Sequence, residues 1–307
     1  VDRLTAQSIA AIAADTLSGA VEIAEKSAEV FARLARMPEA QNLAWLRHML
    51  VHTGWALIDA HPTMAPLVNL VNTILWKLDT PLEAHAVPRT VLDTIQEFTR
   101  RLRVHEAAIA ETALRLMPED CLIVTHGRST TVRAALRHAQ RAGRRFEVIC
   151  TESRPGYEGR ALATDLAASG IAVRLVVDAL ALVLVQQAQL VMVGADHLTG
   201  QGLVNKIGTY GIALAAHAAQ VPMYTLCSSE KFLPPGYVPP EVVAWQPDAI
   251  WAEASPGVDV LNVLFDTTPT DLLAGVVTEQ GVQPHVGIEA WLAATRLHPR
   301  LGPQGRG

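Results

Sequence analysis

The chain has little of what marks several large protein classes. Three of its 307 residues are cysteine, Cys121, Cys150 and Cys227. Each lies in an apolar run without the spacing of a metal site or a disulfide framework. They read as reduced thiols of a cytoplasmic protein, with no metal and no cofactor expected. Charged residues are scarce at 18%, and acidic ones outnumber basic ones, 30 against 25. The net charge of −5 excludes direct nucleic-acid binding through general electrostatics, while leaving room for a local basic pocket. No apolar run reaches the ~18 residues of a membrane span. The longest, Ala179 to Val185, stops at Gln186-Gln187. The opening Val1-Asp2-Arg3-Leu4 lacks the apolar core of a signal peptide. No membrane partner is expected. Internal repeats are absent, and so is low complexity apart from an Arg/Gly tail.

What is present is a hydrophobic chain, 50% apolar, long enough for a large core and two domains. Its character changes near residue 120. Before that point Ile9, Ile12, Ala13, Leu17, Val21, Ala24, Ala28 and Phe31 recur close to every 3.6 residues. A second stretch carries Leu43, Leu46, Leu50 and Leu57. A third follows His61-Pro62, where proline suits a first helical turn, and a fourth runs from Val87 to Met117. After it, β-branched runs alternate with helical ones. The runs 121–125, 146–150, 173–177, 190–194 and 223–227 read as strands. Helices are expected at 130–142, 159–169, 180–187 and 207–220. The strands are nearly continuous apolar runs, as in a parallel sheet covered on both faces. The fold class is therefore α/β. A helical subdomain, 1–118, precedes a Rossmann-like, doubly wound, mostly parallel domain, 119–307. Six prolines between Leu233 and Gly257 mark a long loop or flap. Val260–Phe265 and Ala274–Thr278 are expected to add strands at the sheet edge.

Ligands in such sheets bind beyond the carboxyl ends of the strands. There the sequence places Thr125-His126-Gly127-Arg128-Ser129, Thr151-Glu152-Ser153-Arg154-Pro155, Asp178, Gly194-Ala195-Asp196 and Ser228-Ser229-Glu230-Lys231. Loops after strands are often polar, but here several strand ends each present a charged or hydroxyl group. Asn205-Lys206-Ile207-Gly208-Thr209 reads as a helix start, where backbone N–H groups favour an anion. Lysine does not complement a helix N-terminus, so Lys206 is expected to meet a ligand or to pair with Asp196. Arg133, Arg137 and Arg141, four apart, read as a solvated helix face. Trp245 and Trp251 fit either a ligand cover or a subunit seam.

These strand ends, with Ile123-Val124-Thr125-His126, Lys231-Phe232 and Phe265-Asp266-Thr267-Thr268-Pro269, resemble one superfamily. It joins the regulatory α, β and δ subunits of translation initiation factor 2B to ribose-1,5-bisphosphate isomerase and methylthioribose-1-phosphate isomerase. The resemblance spans the second half nearly completely. In the first half it is limited to Ser18-Gly19-Ala20 and His61-Pro62-Thr63. It implies Asp196 as one partner of an aspartate–cysteine acid/base pair that moves protons between neighbouring carbons and oxygens. The cysteine falls at Gly127, which has no titratable group. Family arginines that hold phosphate fall at Ser18 and His61. Arg154 is retained, and Arg128 is an added cation. His126 and Cys150 are the groups left to consider for proton transfer.

Two functions follow from the resemblance. One is a non-catalytic relative that binds a small phosphorylated sugar or nucleotide through Thr125, His126, Gly127, Arg128, Ser129, Arg154, Asn205 and Lys206. The other is an aldose–ketose sugar-phosphate isomerase with Asp196 as general acid/base. Either is expected to be a homo-oligomer, a dimer or higher. Arg154 alone has three readings: a phosphate partner, a partner of Glu152, or a contact with a neighbouring subunit.

Overall fold

Helical periodicity in the first third of the chain becomes five helices: α1 (Arg3–Ala13), α2 (Ala20–Arg36), α3 (Leu43–Ala60), α4 (Ala65–Leu78) and α5 (Val87–Leu116). They are seen in a computed structural model that describes residues 2–15, 18–80, 83–239, 245–284 and 287–302. Two of the helix starts carry side-chain caps. Asp2 accepts from the amides of Leu4 and Thr5, and Asn42 accepts from that of Trp45.

The chain divides into two compact units. One is Val1–Val104 with Glu230–Pro239 and Leu292–Gly307; the other is His105–Ser229 with Pro240–Trp291. The helical unit buries Ile23, Phe31, Leu34, Leu46, Leu50, Leu57, Leu67, Leu70, Ile74 and Phe98 in a single core. Helix α4 is enclosed on nearly every side, and its two buried asparagines fasten the returning segments. Asn69 Nδ2 donates to the carbonyls of Glu230 and Phe232 at 2.7 and 2.9 Å. Asn72 Nδ2 donates to the Arg296 carbonyl at 3.0 Å, and its Oδ1 accepts from the His298 amide at 2.7 Å. Lys231 is buried in this unit.

The second unit carries β1 (Cys121–Thr125), α6 (Thr130–Arg141), β2 (Phe146–Thr151), α7 (Glu158–Ala167), β3 (Ala172–Val176), α8 (Asp178–Leu184) and β4 (Leu190–Val193). Then follow β5 (His197–Thr199), β6 (Gly202–Lys206), α9 (Thr209–Ala218), β7 (Met223–Leu226), α10 (Asp248–Trp251), β8 (Phe265–Thr268), β9 (Gly275–Thr278) and β10 (Gly281–Gln283). A last helix, α11 (Ile288–Ala294), leads back toward the helical unit. The main sheet has the order β10-β9-β7-β4-β1-β2-β3. All neighbours are parallel except β9 and β10. The chain moves outward from β1 through β2 to β3, then returns to the other side of β1 with β4. The carboxyl ends of β1 and β4 thus flank a topological switch point.

The five strands expected from apolar runs all form, shifted by at most a residue or so. Three expectations need correction. Val260–Phe265 does not add a strand at the edge of the main sheet. Leu261 is 76% exposed, and the strand that forms, Phe265–Thr268, pairs with β6 in a separate sheet. Second, β9 lies inside the main sheet, which continues to β10. Third, Asn205 and Lys206 do not start a helix. They end β6, the middle strand of a separate antiparallel sheet, β5-β6-β8. Helix α9 begins at Thr209 after Gly208, whose φ of +105° breaks the strand. Of the proline-rich stretch, residues 240–244 lie outside the described residues; Trp245 donates its amide to the Asn262 carbonyl at 2.9 Å.

Candidate functional site

The switch point brings the loops after β1 and β4 together without room to spare. A Cβ added to Gly194 would stand 2.5 Å from Ser129 Cβ. Glycine there lets the β4 loop lie against the start of α6. Ser129 is the cap of that helix, its Oγ accepting from the Val132 amide at 3.2 Å. Asp196, two residues past Gly194, is half-buried, and its amide donates to the Val204 carbonyl at 2.9 Å. Thr225 Oγ1 donates to the Gly194 carbonyl at 2.9 Å, which anchors the same loop to β7.

Between β1 and β2 lies a relay of buried polar groups. His126 Nε2 is 2.8 Å from the Ile207 carbonyl. A carbonyl only accepts, so Nε2 carries the proton and Nδ1 is the acceptor. Nδ1 then receives the Thr151 hydroxyl at 2.6 Å. Thr151 Oγ1 lies 3.0 Å from Ser153 Oγ, which accepts the Gly127 amide at 2.9 Å. Burial pushes the His126 pKa down, against the opposing pull of the Ile207 carbonyl and nearby carboxylates. The imidazole is neutral with both nitrogens engaged. It ties three segments together and has no nitrogen left to serve as a base. Thr125 Oγ1 is buried without a hydrogen-bond partner.

Gly127 has a left-handed backbone, φ +79°, and a Cβ there would stand 3.3 Å from Lys206 Cβ. Lys206 Nζ does not pair with Asp196. It reaches Glu158 Oε1 at 2.7 Å, with 9% and 16% of the two side chains exposed. Asn205 is not a helix cap; its Nδ2 donates to Thr209 Oγ1 at 3.0 Å. The start of α9 is instead held by Asp266, whose Oδ2 accepts from the Gly208 and Tyr210 amides at 2.8 and 3.1 Å. Burial raises the pKa of this carboxyl, partly offset by those amides. The helix start expected to attract an external anion is therefore filled by a carboxylate of the chain itself.

The loop after β2 turns sharply. Ser153 and Arg154 donate their amides to the two oxygens of Asp178, both at 2.7 Å. The Arg154–Pro155 bond is cis. The Arg154 side chain is exposed; its guanidinium bonds the Tyr157 hydroxyl and lies 4.9 Å from the centre of that ring. Glu152 pairs with Arg160 at 2.9 Å, not with Arg154. Arg128 is half-buried. Cys150 is 1% exposed, and burial pushes its thiol pKa up to about 12, so it is a packing residue without thiolate character. In the helical unit, Ser18 Oγ accepts from Lys26 Nζ at 2.9 Å, and His61 Nε2 donates to the Ile12 carbonyl at 2.7 Å.

Thr125 ends β1 and His126, Gly127, Arg128 and Ser129 follow it, Arg154 lies in the loop after β2, and Asn205 and Lys206 end β6 rather than opening a helix, with the carboxylates of Glu158 and Asp266 bonded among them. Asp266 lies in a run that carries the resemblance but is given no role there, and Glu158 has no distinguishing signal. An acidic residue in a first helical turn, like Glu158, is ordinary. Among the described residues no cluster of three or more His, Cys, Asp or Glu is placed to hold a metal ion, and no helix is long and apolar enough to cross a membrane.

Comparison with known proteins gives this arrangement a context. A model of the Initiation factor 2 subunit family matches residues 16–285. Ribose 1,5-bisphosphate isomerase of Archaeoglobus fulgidus is 31% identical over 270-odd positions, spanning 87% of this chain and 85% of its own. Methylthioribose-1-phosphate isomerase of Heliobacterium modesticaldum is 36% identical, covering 74% of this chain and 73% of its own. The solved translation initiation factor eIF-2B of Pyrococcus horikoshii superposes with a TM-score of 0.80 at 30% identity, covering 92% of this chain and 98% of that one.

Proposed function

The chain belongs to the Initiation factor 2 subunit family, and from that premise we propose that it binds a small phosphorylated sugar or nucleotide at the strand ends around Asp196, without turnover by a thiol-dependent route. The observation that carries this reading is Gly127. Moving a proton between neighbouring sugar carbons needs a titratable group poised beside the substrate, paired with a second that serves the oxygens. The position opposite Asp196 in the family pattern has neither side chain nor a backbone suited to one. The two neighbours left to replace a thiol are committed elsewhere. His126 is neutral and bonded at both nitrogens, and the Cys150 thiol is buried and protonated. What remains suits recognition: Asp196, Lys206, Asn205, and Arg154 on the turn held by Asp178.

On this reading the chain acts in the cytoplasm as a homo-oligomer, with the ligand regulating subunit contacts. The experiment is direct. Ribose 1,5-bisphosphate and methylthioribose 1-phosphate are each incubated with the protein, and both ketose formation and thermal stability are followed. A ligand that binds only the native state raises the melting temperature, so stabilisation without turnover is expected. Turnover that disappears in Asp196→Asn would overturn the binding-only reading and establish the aldose–ketose isomerase in its place.

A further inference from the structure

Two features at this rim would ordinarily draw a phosphate: a lysine and a helix N-terminus. Both already face a carboxylate of the chain. Asp266 takes the free amides of α9, and Glu158 takes the Lys206 ammonium at 2.7 Å. The second pairing is built rather than incidental. Both side chains are mostly buried, and the stem of Lys206 packs against Gly127. The other oxygen of Glu158 lies over Gly156, where any Cβ would stand 2.7 Å from it. On its far side, Lys206 Nζ is 6.0 Å from the centre of the Phe265 ring.

We propose that Glu158 is a specificity-determining residue, which holds Lys206 as a neutral ion pair so that this part of the site accepts the hydroxyl-bearing portion of a ligand and rejects a phosphoryl group. The inference rests on the sugar-phosphate reading above and assigns an orientation within it. A lysine ammonium has three donors. One is spent on Glu158, leaving two for neutral oxygens. The carboxylate in turn has an oxygen with which to accept from a sugar hydroxyl. A phosphate dianion brought to Lys206 would meet the Glu158 charge at close range in a mostly buried setting, where like charges repel strongly. The pair thus works by exclusion as well as by attraction.

The test is a calorimetric titration of the intact protein with inorganic phosphate, comparing wild type, Glu158→Gln and Glu158→Gln/Lys206→Gln. Replacing the carboxylate by its isosteric amide frees the ammonium, and phosphate affinity is expected to rise at least about tenfold. The double variant is expected to return to the wild-type value. Glu158→Ala should show a gain of the same sign, which guards against an effect of amide packing. A merely structural Glu158 would give weaker binding on substitution, the opposite direction. Unchanged or weakened phosphate binding in both single variants would overturn the proposal, as would a gain that survives loss of Lys206. The outcome is separate from that of the sugar-phosphate assay. Absence of stabilisation by both sugar phosphates defeats the binding reading, whereas the phosphate gain on removing Glu158 decides this one.

Discussion

Restoring a thiol at position 127 should cost stability, not merely fail to restore chemistry. The backbone of Gly127 is left-handed, φ +79°. An L-residue with a side chain held there costs roughly 1–2 kcal/mol. The new Cβ would also approach Lys206 Cβ to 3.3 Å and Cγ to 3.9 Å, so the lysine stem must yield by a few tenths of an ångström. Together these give an expected loss of about 1.5–3 kcal/mol for Gly127→Cys. In a unit of this size each kcal/mol lowers the melting temperature by about 2–4 °C, so a fall of about 3–12 °C is expected. Gly127→Ala supplies the control: it carries the same backbone penalty without the sulfur, and should lose nearly as much. Scanning calorimetry with circular dichroism at several wavelengths would follow each unit's unfolding. If both variants melt with the wild type, the left-handed assignment at Gly127 is wrong, and so is the argument that this position cannot readily regain a nucleophile.

Three further outcomes are expected. Gly159→Ala places a Cβ 1.9 Å from the Thr151 carbonyl oxygen and should cost more than about 3 kcal/mol in denaturant titrations; Gly200→Ala, with open space around it, should cost only a few tenths by the same measure. The His126 pKa lies below its ordinary value of 6.5, so the unfolded chain takes up a proton that the native ring refuses. Its contribution is intact above about pH 6.5 and is lost as pH falls toward the native pKa. Urea midpoints of wild type should therefore drop more steeply between pH 7.5 and 5 than those of His126→Gln, and equal slopes would count against a buried neutral ring. For Asp266, whose carboxyl pKa burial raises above 3.8, the sign is reversed: the native state holds the proton longer, and stability falls as pH rises through the native pKa. Asp266→Asn should gain on wild type between about pH 4 and 7, whereas Asp266→Ala, which removes the acceptor at the start of α9, should lose about 1–2 kcal/mol.

Much of the main sheet is legible in the sequence because its central strands are buried on both faces. Cys121–Thr125 and Leu190–Val193 are apolar almost throughout, and apolar runs of that length between polar loops have few other interpretations. The polar strand ends follow from the same logic, since a loop leaving a buried strand is where side chains can turn outward. The small antiparallel sheet is illegible for a physical reason. Strand β6 reads Gly202-Leu203-Val204-Asn205-Lys206, and its register depends on Phe265–Thr268, brought in from far along the chain. Asp266 meets Gly208 from 58 residues away. Nothing local announces that pairing, and local propensity for strands of this length is weak. The same holds for Glu158, whose meaning arises only when β6 delivers Lys206 beside it. The run Asn205-Lys206-Ile207-Gly208-Thr209 stands out in the sequence, but its geometry comes from partners elsewhere.

The segments that return to the helical unit bear on how the protein is made. A ribosome delivers residues in order, amino end first. Helices α1 to α4 emerge early, yet the buried side-chain amide of Asn69 waits for Glu230 and Phe232, and the Asn72 amide and the Trp76 indole N–H wait for Arg296. Leu233 and Leu301 complete the same core. The α/β unit has been synthesised through β7 by Glu230 and through its last strand, β10, by Arg296. The helical unit is thus encoded first and finished last, with a largely apolar helix surface that carries Asn69 and Asn72 awaiting its partners through most of translation. A nascent chain stalled before residue 230 should present that surface to chaperones, and the order of synthesis is the reverse of the order in which the two units can close.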